Sequence, residues 1–363
     1  MGMSLPTTIA AVGATPLDIP LVEPFTIATG SQAIARNVLV EVRLADGTKG
    51  YGEAAPFPAV TGETQTSTLT AIGELAGSLQ GADGREWRRL AAQMKTTHAP
   101  AASARCALET AMLDALLRQA SLPMWSFFGG CGTELETDMT ITAGSAEHAG
   151  RSARAIQERG IRTIKLKIGG APEEDLRRIT AVHTATSGIP LILDGNCGYD
   201  ALTALTLLAD LRARAIPVAL FEQPTARNDW EGLRRVTREG GVPVAADETV
   251  VTAGDALRAV REGAVTCINI KLMKSGIVEA LDIAAICRAS GMKLMIGGMV
   301  ETILAMTVSA HFATGQGGFS FVDLDTPMFM AEQPFAGGFA QHGGHLSVAS
   351  SGPGHGVTPR AGT

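Results

Sequence analysis

The sequence predicts an α/β protein: a parallel barrel of alternating strands and helices preceded by a smaller α+β domain. Three observations carry this. Eight short apolar segments alternate with amphipathic stretches from residue 139 to 323, a mixed strand-and-helix pattern precedes them, and the central strands end in charged residues.

The first 130 residues combine two periodicities. Val38 to Leu44 reads as a strand, Ala45-Asp46-Gly47-Thr48 supplies turn residues, and Gly50-Tyr51-Gly52-Glu53 completes a hairpin. Thr66 to Leu79 and Ala102 to Gln119 carry apolar residues at helical spacing, with Ala, Leu and Met prominent. The turn-rich Phe128-Gly129-Gly130-Cys131-Gly132 closes this part. The expected division is therefore a capping domain over 1–130, a catalytic barrel over 131–327, and a glycine-containing segment over 328–363 that packs back on the first domain.

The eight candidate strands are Met139 to Ala143, Thr163 to Ile168, Leu191 to Asp194, Val218 to Glu222, Val244 to Asp247, Cys267 to Lys271, Lys293 to Ile296 and Phe319 to Asp323. Helical stretches such as Ala146 to Glu158, Glu173 to Thr186, Ala201 to Arg214, Asp255 to Glu262 and Ile277 to Ala289 lie between them. An open doubly wound sheet would have the same local pattern, so the placement of polar residues has to separate the two.

Composition narrows the function classes. With 45% hydrophobic and 18% charged residues the chain buries a sizeable core, and a net charge of −6 with interspersed signs leaves no basic stripe for nucleic acid. The start has no basic head and apolar run, and no apolar run near 18 residues occurs elsewhere, so neither a signal peptide nor a membrane span is expected. Cys106, Cys131, Cys197, Cys267 and Cys287 are odd in number and lack metal-ligand spacing, which fits free thiols in the cytoplasm. The seven histidines share no metal spacing, and the glycine clusters at 129–130 and 315–318 read as turns.

Buried parallel strands carry charge at their ends only at a cost, and in a barrel that end faces the active site. Here the ends read Lys165-Leu166-Lys167, Asp194-Gly195-Asn196, Glu222-Gln223-Pro224, Asp247-Glu248-Thr249 and Asn269-Ile270-Lys271, spaced 24 to 28 residues apart. One strand-helix unit has about that length, so the charges stand side by side around one mouth. Three carboxylates, Asp194, Glu222 and Asp247, offer an oxygen-only set that favours a hard cation such as Mg2+ and leaves positions open for a substrate carboxylate. Bound so, that carboxylate acidifies the neighbouring carbon. Lysines on either side would remove the proton from one face and return one to the other. A lysine base needs its pKa pulled below about 10.4, which neighbouring positive charge and partial burial achieve. Salt bridges around a barrel mouth are the plain alternative, and a Schiff-base aldolase would need only one lysine and no carboxylate set.

These motifs, with Phe221-Glu222-Gln223-Pro224 and Lys271-Leu272-Met273-Lys274, resemble the muconate lactonizing branch of the enolase superfamily over nearly the whole chain. Enolase-type sites with lysine or histidine bases and magnesium are a known pattern. The resemblance implies a modified (β/α)7β barrel with an α+β capping domain and one Mg2+ on Asp194, Glu222 and Asp247. It further implies Lys167 and Lys271 as the bases, with Lys165 assisting at the substrate carboxylate. Lys274 is expected to lie beyond the strand, exposed to solvent. Ile296-Gly297-Gly298-Met299 lacks the histidine of mandelate-type racemases.

Asp323-Leu324-Asp325 resembles the Asp-x-Asp pair by which dipeptide epimerases hold the substrate's α-amino group, although Asp325 before Thr326-Pro327 also suits a turn cap. Thr140, Gly298 and Val300 are implied substrate contacts. Alanyl-glutamate epimerases carry Gly-Ser-Arg where this chain reads Gly30-Ser31-Gln32, and Gln32 cannot pair with a carboxylate. Leu21 to Ala28 and Pro56 to Val60 are mostly apolar, so the expected substrate is a dipeptide with a hydrophobic second residue; Glu23 keeps a cationic one open. Glu109 and Asp114 are expected to be structural, and Glu248 to orient a base or the metal from behind. A cycloisomerase or o-succinylbenzoate synthase shares the lysines and metal and is separated by the Asp-x-Asp pair. A binding module that has lost chemistry is the rival of another class. A homo-oligomer is compatible with the sequence.

Overall fold

The structure, a computed structural model, describes residues 5–27, 30–186 and 188–361. The chain opens with an antiparallel sheet of β1 (Ile9–Ile27), β2 (Gly30–Leu44) and β3 (Lys49–Ala54) in that order. Sequence reading located the β2–β3 hairpin and missed β1, whose apolar stretch near residue 25 reads as a loop. In fact Phe25, Thr26 and Ile27 pair with Gln32, Ser31 and Gly30 beyond an irregularity after Pro20. Ala28 of the expected apolar stretch lies outside the described residues.

The helices α1 (Pro58–Thr61), α2 (Gln65–Leu79), α3 (Trp87–Thr97), α4 (Ala102–Gln119) and α5 (Met124–Phe127) complete the cap. A Thr64–Ser67 capping box starts α2. The close packing of β3 on α4 has a simple cause. A Cβ at Gly50 or Gly52 would stand 2.2 Å from Ala111 O or 2.1 Å from Ala107 O, so glycine on the strand and alanine on the helix bring the two backbones together.

After β4 (Glu134–Glu136) come the barrel strands β5 (Met139–Ile141), β6 (Ile164–Lys167), β7 (Leu191–Asp194), β8 (Val218–Glu222), β9 (Val244–Ala246), β10 (Cys267–Ile270), β11 (Lys293–Ile296) and β12 (Phe319–Val322). They form one eight-stranded sheet, each parallel to its sequence neighbour. The seam between β12 and β5 is bridged by Asp138 N–H to Val322 O (2.9 Å) and by Thr137, whose hydroxyl accepts from Leu324 N–H (2.9 Å).

The intervening helices are α6 (Ala146–Glu158), α7 (Pro172–Thr186), α8 (Ala201–Ala213), α9 (Trp230–Glu239), α10 (Ala253–Glu262), the single turn α11 (Leu272–Ser275) with α12 (Ile277–Ser290), and α13 (Ile303–Gln316). Side-chain caps from Ser145, Asp200, Asp229, Thr252 and Thr302 start five of them. Every residue of β6, β7 and β10 is buried, as helices on the outside and side chains within require.

The cap is fastened to the barrel by buried polar contacts. Glu53 accepts from the Thr302 hydroxyl (2.5 Å) and from the backbone N–H groups of Thr302 and Ala305 at the start of α13, while Asn37 donates to Glu53 and to Val300 O. Glu109 accepts from Val278 N–H at the start of α12. Asp114 accepts from Tyr51 N–H, Arg118 and His355 N–H, tying the segment after the barrel to the cap. The tip of the β1–β2 hairpin reaches the barrel mouth, where Ala143 N–H donates to Thr26 O (3.1 Å).

Candidate active site

The five strand-end charges converge. Lys167 Nζ lies 2.7 Å from Asp194 Oδ2, and Lys271 Nζ lies 2.7 Å from Asp247 Oδ2. Lys165, fully buried one layer below Lys167, pairs with Asp194 (3.0 Å), Glu222 (2.8 Å) and Asp323 (2.6 Å). It does not line the cavity at the mouth.

Asp194, Glu222 and Asp247 are all 0% exposed. Burial raises the carboxyl of Asp194, but the ammonium groups of Lys165, Lys167 and Lys271 outweigh it and hold it well below the usual range. Lys271 and Lys274 overcome burial at Asp247 in the same way. Glu222 goes the other way, raised by burial and by Asp194. At Lys271 burial favours the neutral amine, but the carboxylates, Asp247 foremost, hold the ammonium above its ordinary value.

The backbone around these groups is held tightly. Gln223, at φ 35°, accepts from Asp247 N–H (2.9 Å) and Thr249 N–H (3.1 Å) and so joins the ends of β8 and β9. Asn196 and Cys197, at φ 39° and 65°, turn the chain sharply after β7, a left-handed conformation uncommon for residues other than glycine. Asn269 donates to Glu222 Oε1 (2.7 Å), and a Cβ at Gly297 would meet the Asn269 side chain at 2.9 Å. Glu248, which burial pushes up to about 7, accepts from Asn196 Nδ2 (3.3 Å).

Lys274 corrects the sequence expectation. The turn α11 curls the chain back under β9, and Lys274 is buried, donating to Asp247 O (2.5 Å), Asp247 Oδ1 (2.6 Å) and Asn269 O (3.0 Å). A lysine just past a strand end reads as solvent-bound only if the chain leaves the barrel there.

Asp323 and Asp325 stand across the mouth. Asp325 makes no side-chain cap to the following 3-10 turn, so the turn-cap alternative does not apply; its Oδ2 accepts from Thr140 N–H (2.6 Å) instead. Their oxygens, with one from Asp138, lie within 4.8 Å of one another. Asp138 was not singled out from the sequence, although alternation along β5 places it on the same inward face as Thr140.

Lys167, Lys271, Thr140, Gly298, Asp323 and Asp325 line one small cavity at the mouth. Phe25, Ile27, Phe57 and Val60 of the cap form its roof, with Lys167 Nζ 5.8 Å from the Phe25 ring centroid. The free space is about 20 Å³, so a dipeptide requires the roof to lift. Val300 is buried with its carbonyl accepting from Asn37, and Glu23 is not among the lining residues. Gln32 lines a separate groove of about 560 Å³ that shares Phe57 with this cavity but holds none of the lysines or carboxylates. The chemistry belongs to the smaller space.

The residues fit a divalent cation. Asp194, Glu222 and Asp247 end three adjacent strands and are fully buried, so their oxygens form one inward-facing carboxylate set. Glu222 Oε2 and Asp247 Oδ2 have no hydrogen-bond partner among the described residues, and each lies beside a lysine ammonium, Lys165 at 2.8 Å and Lys271 at 2.7 Å. Asp194, Glu222 and Asp247 could hold the cation, and their hard oxygens suit Mg2+.

A capped parallel barrel with lysines on both sides of a carboxylate set defines an enzyme that moves protons at a carbon acid. Residues 11–129 match the mandelate racemase/muconate lactonizing enzyme N-terminal domain, and residues 148–362 match the enolase C-terminal domain-like family. The chain belongs to this family, the enolase superfamily.

It is 57% identical over 354 residues to an aromatic dipeptide epimerase of Herpetosiphon aurantiacus, covering 97% of this chain and 99% of that protein. A crystal structure of a mandelate racemase/muconate lactonizing protein from the same organism superposes with a TM-score of 0.96 at 56% identity, covering 99% and 100% of the two chains. A dipeptide epimerase from Enterococcus faecalis, solved with Mg and L-Leu-L-Tyr, gives 0.93 at 33% identity, covering 97% and 99%. Among the described residues no helix is long and apolar enough to cross a membrane.

Proposed function

We propose that this protein is a magnesium-dependent dipeptide epimerase that inverts the α-carbon of the C-terminal residue, acting on dipeptides whose second side chain is hydrophobic. The observation that carries the reading is a single cavity bounded by Lys167 and Lys271, by Asp323 and Asp325, and by a roof of Phe25, Ile27, Phe57 and Val60. A zwitterionic dipeptide matches it at three points. Its ammonium meets the two aspartates, its carboxylate lies toward Asp194, Glu222 and Asp247, and its second side chain faces the apolar roof. Gln32 in the neighbouring groove and the absence of Glu23 from the cavity lining favour this over acidic or cationic second residues.

When bound, Mg2+ would offset most of the charge of the three carboxylates and stabilise the charge that builds on the substrate carboxylate as the α-proton leaves. Lys167, as the amine, takes the α-proton from one face, and Lys271, as ammonium, delivers a proton to the opposite face; the reverse reaction exchanges the two roles. Lys165 holds Asp194, Glu222 and Asp323 in register from below. The roof excludes water while the carbon is unprotonated.

Five unpaired cysteines support a cytoplasmic location, and the mixed surface charge supports a small-molecule partner over nucleic acid. The test is a dipeptide library incubated with enzyme and Mg2+ in deuterated water. Deuterium should enter the second α-carbon of dipeptides ending in hydrophobic residues. Preferential labelling of glutamate-ended dipeptides would overturn the specificity, and no labelling of any dipeptide would overturn the activity.

A further inference from the structure

We propose that Arg178, Asp175 and Tyr199 are positioning residues for Lys167, serving the half of the reaction that this lysine carries and not the half carried by Lys271; this rests on the two-lysine reading above. The ladder between β5 and β6 ends at the pair Ile141 and Leu166, one residue short of Lys167. Beyond it Arg178 takes over. Its Nη1 donates to Lys167 O (2.7 Å) and its Nη2 to Thr142 O (2.9 Å), so one guanidinium ties the two chain ends together. A planar fork suits that bridge, whereas an ammonium on a flexible stem does not fix both bonds at once.

The fork is itself held. Arg178 and Asp175 stand one turn apart on the inner face of α7, each only 3% exposed, and Arg178 Nη1 also donates to Asp175 Oδ1 (3.0 Å). Asp175 Oδ2 accepts from Gly169 N–H (3.0 Å) and Gly170 N–H (2.9 Å) in the loop after Lys167, and from the Tyr199 hydroxyl (2.5 Å). Tyr199 belongs to the loop after Asp194, which packs so closely here that a Cβ at Gly198 would stand 2.2 Å from Gly169 O. The cluster thus fixes the backbone at and beyond Lys167 and joins it to the loop of Asp194, the carboxylate with which Lys167 pairs. Lys271 is held differently. Its carbonyl accepts from Lys274 N–H (3.0 Å) within its own turn, and among the described residues no hydrogen bond joins it to Arg178, Asp175 or Tyr199.

A drift of about 1 Å in a reacting group is enough to slow its step about 10²-fold. Epimerisation needs both lysines in either direction, so its rate does not tell them apart; exchange of the α-proton needs only one. The test therefore measures deuterium entry from deuterated water into L-Ala-L-Phe and L-Ala-D-Phe, with Lys167→Ala marking the isomer that Lys167 deprotonates. Arg178→Met should slow exchange of that isomer about tenfold or more relative to the other. Arg178→Lys, which restores one donor, should recover part of the ratio. Tyr199→Phe keeps the ring against Phe221 and removes only the hydroxyl, so it should shift the ratio the same way by less. A purely structural role would lower both isomers alike and leave the ratio where it was.

An unchanged ratio in Arg178→Met, whether or not both rates fall, would overturn the proposal, as would a shift against the other isomer. If Arg178→Met does not fold, an unchanged ratio in Arg178→Lys and Tyr199→Phe overturns it equally. The two-lysine dipeptide reading fails separately, if wild type exchanges neither isomer or if Lys167→Ala still exchanges both.

Discussion

Replacing Lys274 by methionine removes an ammonium while keeping most of the side-chain volume, so the loss is electrostatic with little cavity. The side chain is 4% exposed and serves Asp247 Oδ1, Asp247 O and Asn269 O, with Val250 O at 3.3 Å. Removing one partner of a buried ion pair costs about 3–5 kcal/mol. Asp247 keeps Lys271 at 2.7 Å, which places the cost near the lower end, about 3 kcal/mol. With an unfolding entropy of about 2.1 cal/mol/K per residue, this lowers Tm by about 4 °C for a chain of this size. Calorimetry with and without Mg2+ measures it. Asp247 is a proposed ligand, so Mg2+ should recover part of the loss in Lys274→Met by replacing the missing charge. An unchanged Tm would refute the placement of this ammonium against Asp247, and a loss untouched by Mg2+ would refute the link between Lys274 and the metal site.

Two further outcomes are expected. Lys167→Ala and Lys271→Ala should each slow epimerisation by about 10²- to 10⁴-fold, the usual weight of one acid or base. Each should still exchange the α-proton of one stereoisomer with deuterated solvent, and NMR finding exchange of both isomers in either variant would contradict the two-faced arrangement. His311 accepts from Trp125 N–H (3.0 Å), and burial pulls its imidazole down to about 3. The unfolded chain binds that proton near 6.5 and the folded one only near 3, so its contribution is complete above pH 6.5 and is lost as pH falls toward 3. The full span is on the order of 5 kcal/mol. His311→Gln, which does not titrate, should flatten this limb in urea titrations across pH 3 to 7; an identical slope in the variant would count against a buried neutral imidazole.

The barrel and its ring of charges were legible because both depend on local repetition. Strand, helix and turn signals recur within each unit, and the 24- to 28-residue spacing from Lys167 to Lys271 carries one charge to each successive strand end whatever surrounds it. What only the tertiary structure decided are placements set by residues distant in the chain. Lys274 is buried because Asp247 and Asn269 wait where α11 turns back. Gln32 lines the larger groove although it pairs directly with Phe25, whose ring lies beside Lys167. Asp138 joins Asp323 and Asp325 only because the seam brings residues 185 positions apart into one cluster. Periodicity states which face of a strand a side chain takes, but its partner across the barrel is set by closure of the sheet, and no single segment contains that information.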